Sequence, residues 1–249
     1  PWRHTTDPYR IVVSEVMLQQ TQVDRVVEKY AAFVARFPDF GSLANASVGD
    51  VLRVWQGLGY NRRALLLKKL AEKVVADYGG KLPNDFALLE HLPGIGPATA
   101  RSICAFAFNV PVVFIETNIR TVFIHHFFKN RKKTEKVSDA ELLPLVEKTL
   151  DRKNPRQWYN ALMDYGTFLK KEYGNANIRS AHYARQSKFE GSNRQVRGRI
   201  LKVLSEHATL TVRDLTKNSG LDAARVRKNI TQLREEGFIS EINGKLSLA

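Results

Sequence analysis

Apolar residues recur every three to four positions through most of the first 175 residues, the spacing that puts them on one face of an α-helix. Asp7-Pro8 opens the first helix as N-cap and first-turn proline, and the stripe continues through Ile11, Val12, Met17 and Leu18. Val23, Val26, Val27, Tyr30, Phe33 and Val34 define a second helix that Phe37-Pro38 closes. Ser47 with Asp50 three positions on reads as a capping box for a helix over 51–56. Gly57 and Gly59 break that helix before a long one over 61–78, ended by Gly79-Gly80. Asn84 is expected to cap a short helix running to Leu89, after which Leu92-Pro93-Gly94-Ile95-Gly96-Pro97 makes a tight turn into a helix over 98–108. Helical spacing returns over 138–150 and 155–173, and no internal repeat is present.

The pattern changes near residue 170. From Lys170 to Arg199 the basic residues Lys170, Lys171, Arg179, Arg185, Lys188, Arg194, Arg197 and Arg199 are opposed by Glu172 and Glu190 alone. Three helices follow, over 196–204, 212–218 and 222–236, and then two short strands, 238–240 and 245–247, joined at Asn243-Gly244. That order describes a winged helix, whose third helix carries Arg225, Arg227, Lys228 and Arg234; the cations suit a DNA major groove, and such domains also serve as protein contacts. The expected organisation is an all-α domain over 1–175, a basic linker over 176–193 and a small α+β winged-helix domain over 194–249.

Composition narrows the partner. The 249 residues are 43% hydrophobic and carry a net charge of +14, the balance of a protein that meets a polyanion. Cys104 is the one cysteine, lying in the apolar run Ile103–Phe108, so the chain forms no internal disulfide, no four-cysteine iron–sulfur cluster and no zinc ribbon. It reads as core filler in a reducing compartment. No apolar run approaches the ~20 residues of a membrane helix, and Pro1-Trp2-Arg3 shows no signal peptide but reads as a trimmed N-terminus. A cytoplasmic, nucleoid-associated monomer without membrane contact is expected.

Chemistry is concentrated in the hairpin. Glycines at 94 and 96 let backbone approach a phosphate while the next helix offers its free N–H groups, so Gly94, Ile95, Gly96, Ala98 and Thr99 form a phosphate grip without charged side chains. A dinucleotide fingerprint is the rival, since Glu116 follows Val112-Val113-Phe114-Ile115 twenty positions past Gly96. It fails because helix, not strand, precedes Gly94.

Leu92-Pro93-Gly94-Ile95-Gly96 before a helix resembles the helix-hairpin-helix of the base-excision DNA glycosylase superfamily. The run Ser14-Glu15-Val16-Met17-Leu18-Gln19-Gln20-Thr21-Gln22-Val23, with Trp2-Arg3, Asp7-Pro8-Tyr9 and Gly57-Leu58-Gly59-Tyr60, resembles its adenine-specific (MutY) branch, over about residues 1 to 168. The resemblance implies two helical lobes with double-stranded DNA and a flipped base in the cleft between them. It makes Glu15 the acid that protonates the departing base and Glu116 the carboxylate that steadies the sugar cation, although the branch usually carries Asp there. Burial among Val, Met and Leu should raise the Glu15 pKa and keep it protonated. Trp2, Arg3, Leu18 and Asp164 would line the base pocket, and Asp164 equally suits a helix cap. Gln19, Gln20 and Tyr60 would enter the stack around the lesion, a Tyr at a helix junction being otherwise ordinary core. Asn118 would support the catalytic loop.

Further features separate this chain from its relatives. Strand-nicking relatives place Lys where Ala98 stands, which implies hydrolysis to an abasic site without lyase activity. The cluster and the 8-oxoguanine-reading C-terminal domain are both missing from the pattern, and the basic stretch and winged helix take their place. No cofactor is expected, and no metal: His125-His126 lacks a third ligand, and only a structural cation on the hairpin is left room for. The substrate implied is adenine opposite guanine or 8-oxoguanine in DNA. Thymine or uracil in mismatches, and a non-catalytic DNA-binding or regulatory role, are the alternatives.

Overall fold

The computed structural model describes residues 1–132, 134–186 and 188–249; position 187, inside the expected linker, lies outside them. After a 3-10 helix at Trp2–His4 come α1 (Pro8–Leu18), α2 (Val23–Arg36), α3 (Phe40–Ala44), α4 (Val48–Trp55), α5 (Arg62–Tyr78), α6 (Phe86–Glu90), α7 (Pro97–Phe108), α8 (Thr117–Phe127), α9 (Asp139–Thr149) and α10 (Pro155–Tyr173). A second 3-10 helix, Ala176–Arg179, leads to α11 (Asn193–Glu206), β1 (Leu210–Thr211), α12 (Val212–Ser219), α13 (Ala223–Glu235), β2 (Ile239–Ile242) and β3 (Lys245–Leu248). The chain divides into two compact units, one made of Pro1, Val16–Leu82 and Ser187–Ala249, the other of Trp2–Glu15 and Pro83–Gln186.

In the first unit the α2–α5 helices bury Phe33, Phe37 and Trp55, with edge-to-face rings at 5.1 and 5.8 Å. The buried Lys68 of α5 donates to Ala44 O at 2.9 Å, satisfying the last turn of α3. The winged helix belongs to this unit: α11 packs on α4, and Gly49 N–H donates to Ala249 O at 2.9 Å. Its antiparallel sheet has the order β1-β3-β2, and Asn243 and Gly244 both take positive φ, 50° and 73°, as the two-residue hairpin requires.

The second unit is organised around Tyr159, fully buried in α10. Its ring stacks on Phe114 at 4.1 Å, its hydroxyl donates to Val112 O at 2.8 Å, and it accepts from Phe114 N–H at 3.3 Å. This clamp holds the extended segment before α8. No strand precedes Gly94 or Glu116 among the described residues, so the dinucleotide alternative is excluded by the backbone.

Several boundaries differ from expectation. Asp85, not Asn84, caps α6, its carboxylate accepting from Ala87 N–H at 2.7 Å. Ser47 caps α4, but the Asp50 carboxylate accepts from the Ser47 hydroxyl instead of its backbone, so half of the reciprocal box forms. α3, with its Asp39–Ser42 capping box, and the two-residue β1 were not anticipated from the pattern. Residues 176–181 are ordered: Val137 pairs with this segment through Arg179 O and Ala181 N–H at 2.9 and 2.8 Å.

Candidate active site and DNA-binding elements

Glu15 lies on α1, flanked by the buried Ser14 and Val16, and is itself only partly exposed. Its carboxylate accepts from the Ser102 hydroxyl of α7 at 2.6 Å. Desolvation pushes its pKa up to about 7, the Ser102 hydrogen bond opposes the rise, and repulsion from Glu116 adds to it. Ser102 Oγ also lies 3.0 Å from Thr99 O, yet one hydroxyl has one proton for two acceptors. Ser102 can therefore serve only one of the two at a time, and burial is what lifts the Glu15 pKa. Ser102 carried no signal in the sequence, because it sits inside an apolar helix with no motif of its own.

Glu116 is the N-cap of α8. Its Oε1 accepts from Asn118 N–H at 2.7 Å and Ile119 N–H at 3.2 Å. The extra methylene relative to Asp is absorbed by this curl back onto the helix end. Burial raises its pKa, and the Asn118, Ile119 and Thr117 N–H groups and the Arg120 charge oppose that rise. Asn118 supports the turn: its backbone N–H holds Glu116, and Gly166 of α10 lies directly against its main chain.

Arg3 and Asp164 form an ion pair at 2.5 Å, with the Asp164 side chain 69% exposed. Asp164 is therefore held by a guanidinium and does not cap a helix. Trp2 shares the short 3-10 helix with Arg3, and Leu18 is the half-buried last residue of α1. His126 accepts or donates one hydrogen bond with Tyr165 at 2.7 Å and His125 packs on Tyr173. Among the described residues no group of three or more His, Cys, Asp or Glu could hold a metal.

The hairpin is anchored from within by Ile95, which is 6% exposed, and closed by Ile95 N–H to Leu92 O at 3.2 Å. Gly94 takes φ +81°, open to glycine, and at Gly96 an added β-carbon would meet nothing within 4 Å. Gly96 is the N-cap of α7 without a side-chain cap, and Pro97 follows at its first position, so α7 opens at a partly exposed end that carries Ala98 and Thr99. Ile95 thus supplies packing, and the backbone at Gly94 and Gly96 stays exposed.

In the other unit, two turns carry Gln20 and Tyr60, both non-glycine residues at positive φ, 54° and 48°. Arg63, which is 9% exposed, ties these turns together. Its Nη1 donates to the carbonyls of Val16, Met17 and Gln19 at 2.7–2.9 Å, and its Nη2 to Thr21 Oγ1 at 3.0 Å and Gly59 O at 3.3 Å. Burial lowers its pKa to about 10, which leaves it charged at neutral pH. The Gln19-Gln20 turn and the Gly59-Tyr60 turn are therefore fixed by one guanidinium.

Half of the expected basic stretch is engaged within the protein. Arg179 donates to Arg131 O at 2.7 Å, Arg197 pairs bidentately with Glu236 at 2.8–2.9 Å, Arg199 donates to Ser219 O and Arg194 to Tyr60. Lys170, Lys171, Arg185 and Lys188 remain exposed. On α13, Arg225 donates to Gly191 O at 2.8 Å and Arg234 pairs with Glu241 at 2.6 Å, whereas the exposed side chains of Arg227 and Lys228 point away from the buried face.

A glycine-rich hairpin leading into an uncapped helix, a desolvated acid beside it and a basic winged helix define a DNA-processing protein of the helix-hairpin-helix class. Residues 13–148 match the family model described as HhH-GPD superfamily base excision DNA repair protein, and residues 194–240 match the winged helix-turn-helix DNA-binding family. The chain belongs to the HhH-GPD superfamily of base excision DNA repair proteins. An adenine DNA glycosylase of Mycobacterium tuberculosis (strain ATCC 25618 / H37Rv) is 34% identical over 224 residues, 82% of this chain and 73% of that protein. One of Buchnera aphidicola subsp. Baizongia pistaciae is 34% identical over 173 residues, covering 68% of this chain and 48% of its own length, so the chain spans about half of that relative. Among solved structures, a thermostable thymine-DNA glycosylase superposes with TM-score 0.60 at 26% identity, over 74% of this chain and 87% of that one. A trapped endonuclease III–DNA covalent intermediate shares the fold, with TM-score 0.55 at 18% identity, over 65% of this chain and 74% of that one. The four-cysteine cluster of the adenine branch does not fit here, because Cys104 is the one thiol and is fully buried in α7.

Proposed function

We propose that this chain is a monofunctional DNA glycosylase that flips adenine, mispaired with guanine or 8-oxoguanine, out of duplex DNA and hydrolyses its bond to the sugar. The observation that carries this reading is the Glu15 carboxyl, held 2.6 Å from Ser102 and with a pKa of about 7. A carboxylic acid that stays protonated near neutrality donates to the base as the N-glycosidic bond breaks, so the electron pair leaves on a neutral purine. Glu116, on the positive end of α8, offers the negative charge that steadies the oxocarbenium-like sugar, and water completes the abasic site. The hairpin backbone at Gly94–Thr99 grips a phosphate, while Gln20 and Tyr60 enter the stack vacated by the base. Trp2, Leu18 and the Arg3–Asp164 pair are the pocket residues of this reading.

The Gln19-Gln20-Thr21 run and the adenine glycosylase relatives support adenine. A second reading, removal of thymine or uracil opposite guanine, is favoured by the structural likeness to a thymine-DNA glycosylase. A purely tethering protein would have no use for a desolvated acid.

Labelled duplexes bearing each mismatch, uracil and 8-oxoguanine pairs, treated with alkali after incubation, test these readings directly. Cleavage at adenine by the native protein, and none by Glu15→Gln, is the expected result. Cleavage only at thymine or uracil selects the second reading, and cleavage of no duplex removes the enzymatic one.

A further inference from the structure

Tyr60 is held by two arginines from different parts of the same compact unit. Arg63 of α5 lies 5.4 Å from its ring centroid, and Arg194, the second residue of α11, lies 5.2 Å from it. Arg194 Nη1 also donates to the Tyr60 hydroxyl at 2.5 Å. Tyr60 takes φ +48°, a conformation a bulky residue keeps only when its surroundings impose it. The surroundings include the winged-helix domain.

A relay of contacts continues from Arg194 to α13. Gly191 N–H donates to Gln195 Oε1 at 2.8 Å, Ser192 caps α11, and the Gly191 carbonyl accepts from Arg225 of α13 at 2.8 Å. Arg225 stands on the helical turn next to the exposed Arg227 and Lys228. These contacts join α13 to the segment that presents Arg194 to Tyr60.

We propose that Arg194 is a positioning residue for base extrusion, through which the winged-helix domain holds the Tyr60 ring in its stack-entering orientation. This rests on the reading of Tyr60 as the intercalating residue. A phenol ring gripped by two guanidiniums resists rotation. The winged helix would then be part of lesion sensing and not a passive tether.

The test separates extrusion from chemistry. In a duplex with 2-aminopurine beside the mispaired adenine, unstacking raises fluorescence whether or not the base is excised. The native protein at saturation should give a clear rise, Arg194→Ala about a tenfold smaller unstacking constant, and Arg194→Lys most of the native signal, since an ammonium still reaches the phenol. Tyr60→Phe, which removes only the acceptor, should lose part of the signal, and Arg194→Ala added to it should lose less than it does alone. Native unstacking by Arg194→Ala at saturating protein overturns the proposal, as does full additivity of the two substitutions. A native protein that unstacks the site but excises nothing refutes the glycosylase reading and leaves this one standing.

Discussion

Gly166 lies against Asn118 with no room for a side chain: a β-carbon on Gly166 would sit 2.5 Å from Asn118 O and 2.7 Å from its Cβ. That approach lets α10 press on the first turn of α8, where Glu116 curls over the Asn118 and Ile119 amides. Glycine here serves packing at the cap that Glu116 forms.

Gly166→Ala should therefore displace the α8 N-terminus and lower stability by roughly 1–3 kcal/mol, the usual range for overpacking. Excision should fall further than DNA affinity, because the hairpin proposed to hold DNA lies elsewhere. Urea denaturation alongside single-turnover rates checks both; unchanged rates would show that α8 tolerates the shift.

The pKa of Glu15 sets a pH limit. Excision that needs its proton should decline as pH rises through about 7. The same shift bears on stability with a definite sign. The folded pKa lies above the ordinary glutamate value of 4.5, so the unfolded chain releases this proton first and stability falls between about pH 4.5 and 7. Glu15→Gln should remove that loss, gaining about 2 kcal/mol above pH 7 after allowance for partial solvent access, while abolishing excision. Thermal melts at pH 5 and 8 give the comparison, and a variant no more stable at pH 8 would contradict the shift.

Glu116→Gln keeps an acceptor for the helix cap and removes the charge. We expect a rate loss of about 100-fold or more with a stability change within about 1 kcal/mol. Glu116→Asp should retain most activity. Full activity in Glu116→Gln would take this residue out of the mechanism.

Arg63 donates to the carbonyls of Val16, Met17, Gln19 and Gly59 together, so Arg63→Ala should cost ~3 kcal/mol or more through the buried acceptors it leaves under-satisfied. Arg63→Lys restores the charge but not the fork, and should recover little. Chemical denaturation of both variants distinguishes a charge effect from this geometry.

With Ala98 at the position where strand-nicking relatives carry lysine, borohydride added during turnover should trap no covalent protein–DNA adduct. A trapped species would demand another amine at the sugar.

The helices whose stripes are long and whose ends carry Pro or Gly were legible from the chain: α1, α2, α5, α7 and α10 begin or end within a residue or two of expectation. Asn243-Gly244 named the wing turn, and Glu15 and the hairpin were visible as motifs. What escaped was non-local. Arg63 meets partners 42 to 47 positions away, nearly all of them backbone carbonyls, which any sequence contains. Arg194 read as one more cation in a basic run, and its contact with Tyr60 spans 134 positions. Asp85 displaced Asn84 as a cap because neighbouring capping residues compete by geometry that composition does not record.

The solitary thiol of Cys104 has its own consequence. It is fully buried, its proton is held to about pKa 11 by burial, and its sulfur faces Asn84 O at 3.7 Å. Peroxide attacks exposed thiolates, and this sulfur is neither. The helix that carries Ser102 should thus keep working under the same oxidative stress that generates 8-oxoguanine in a genome.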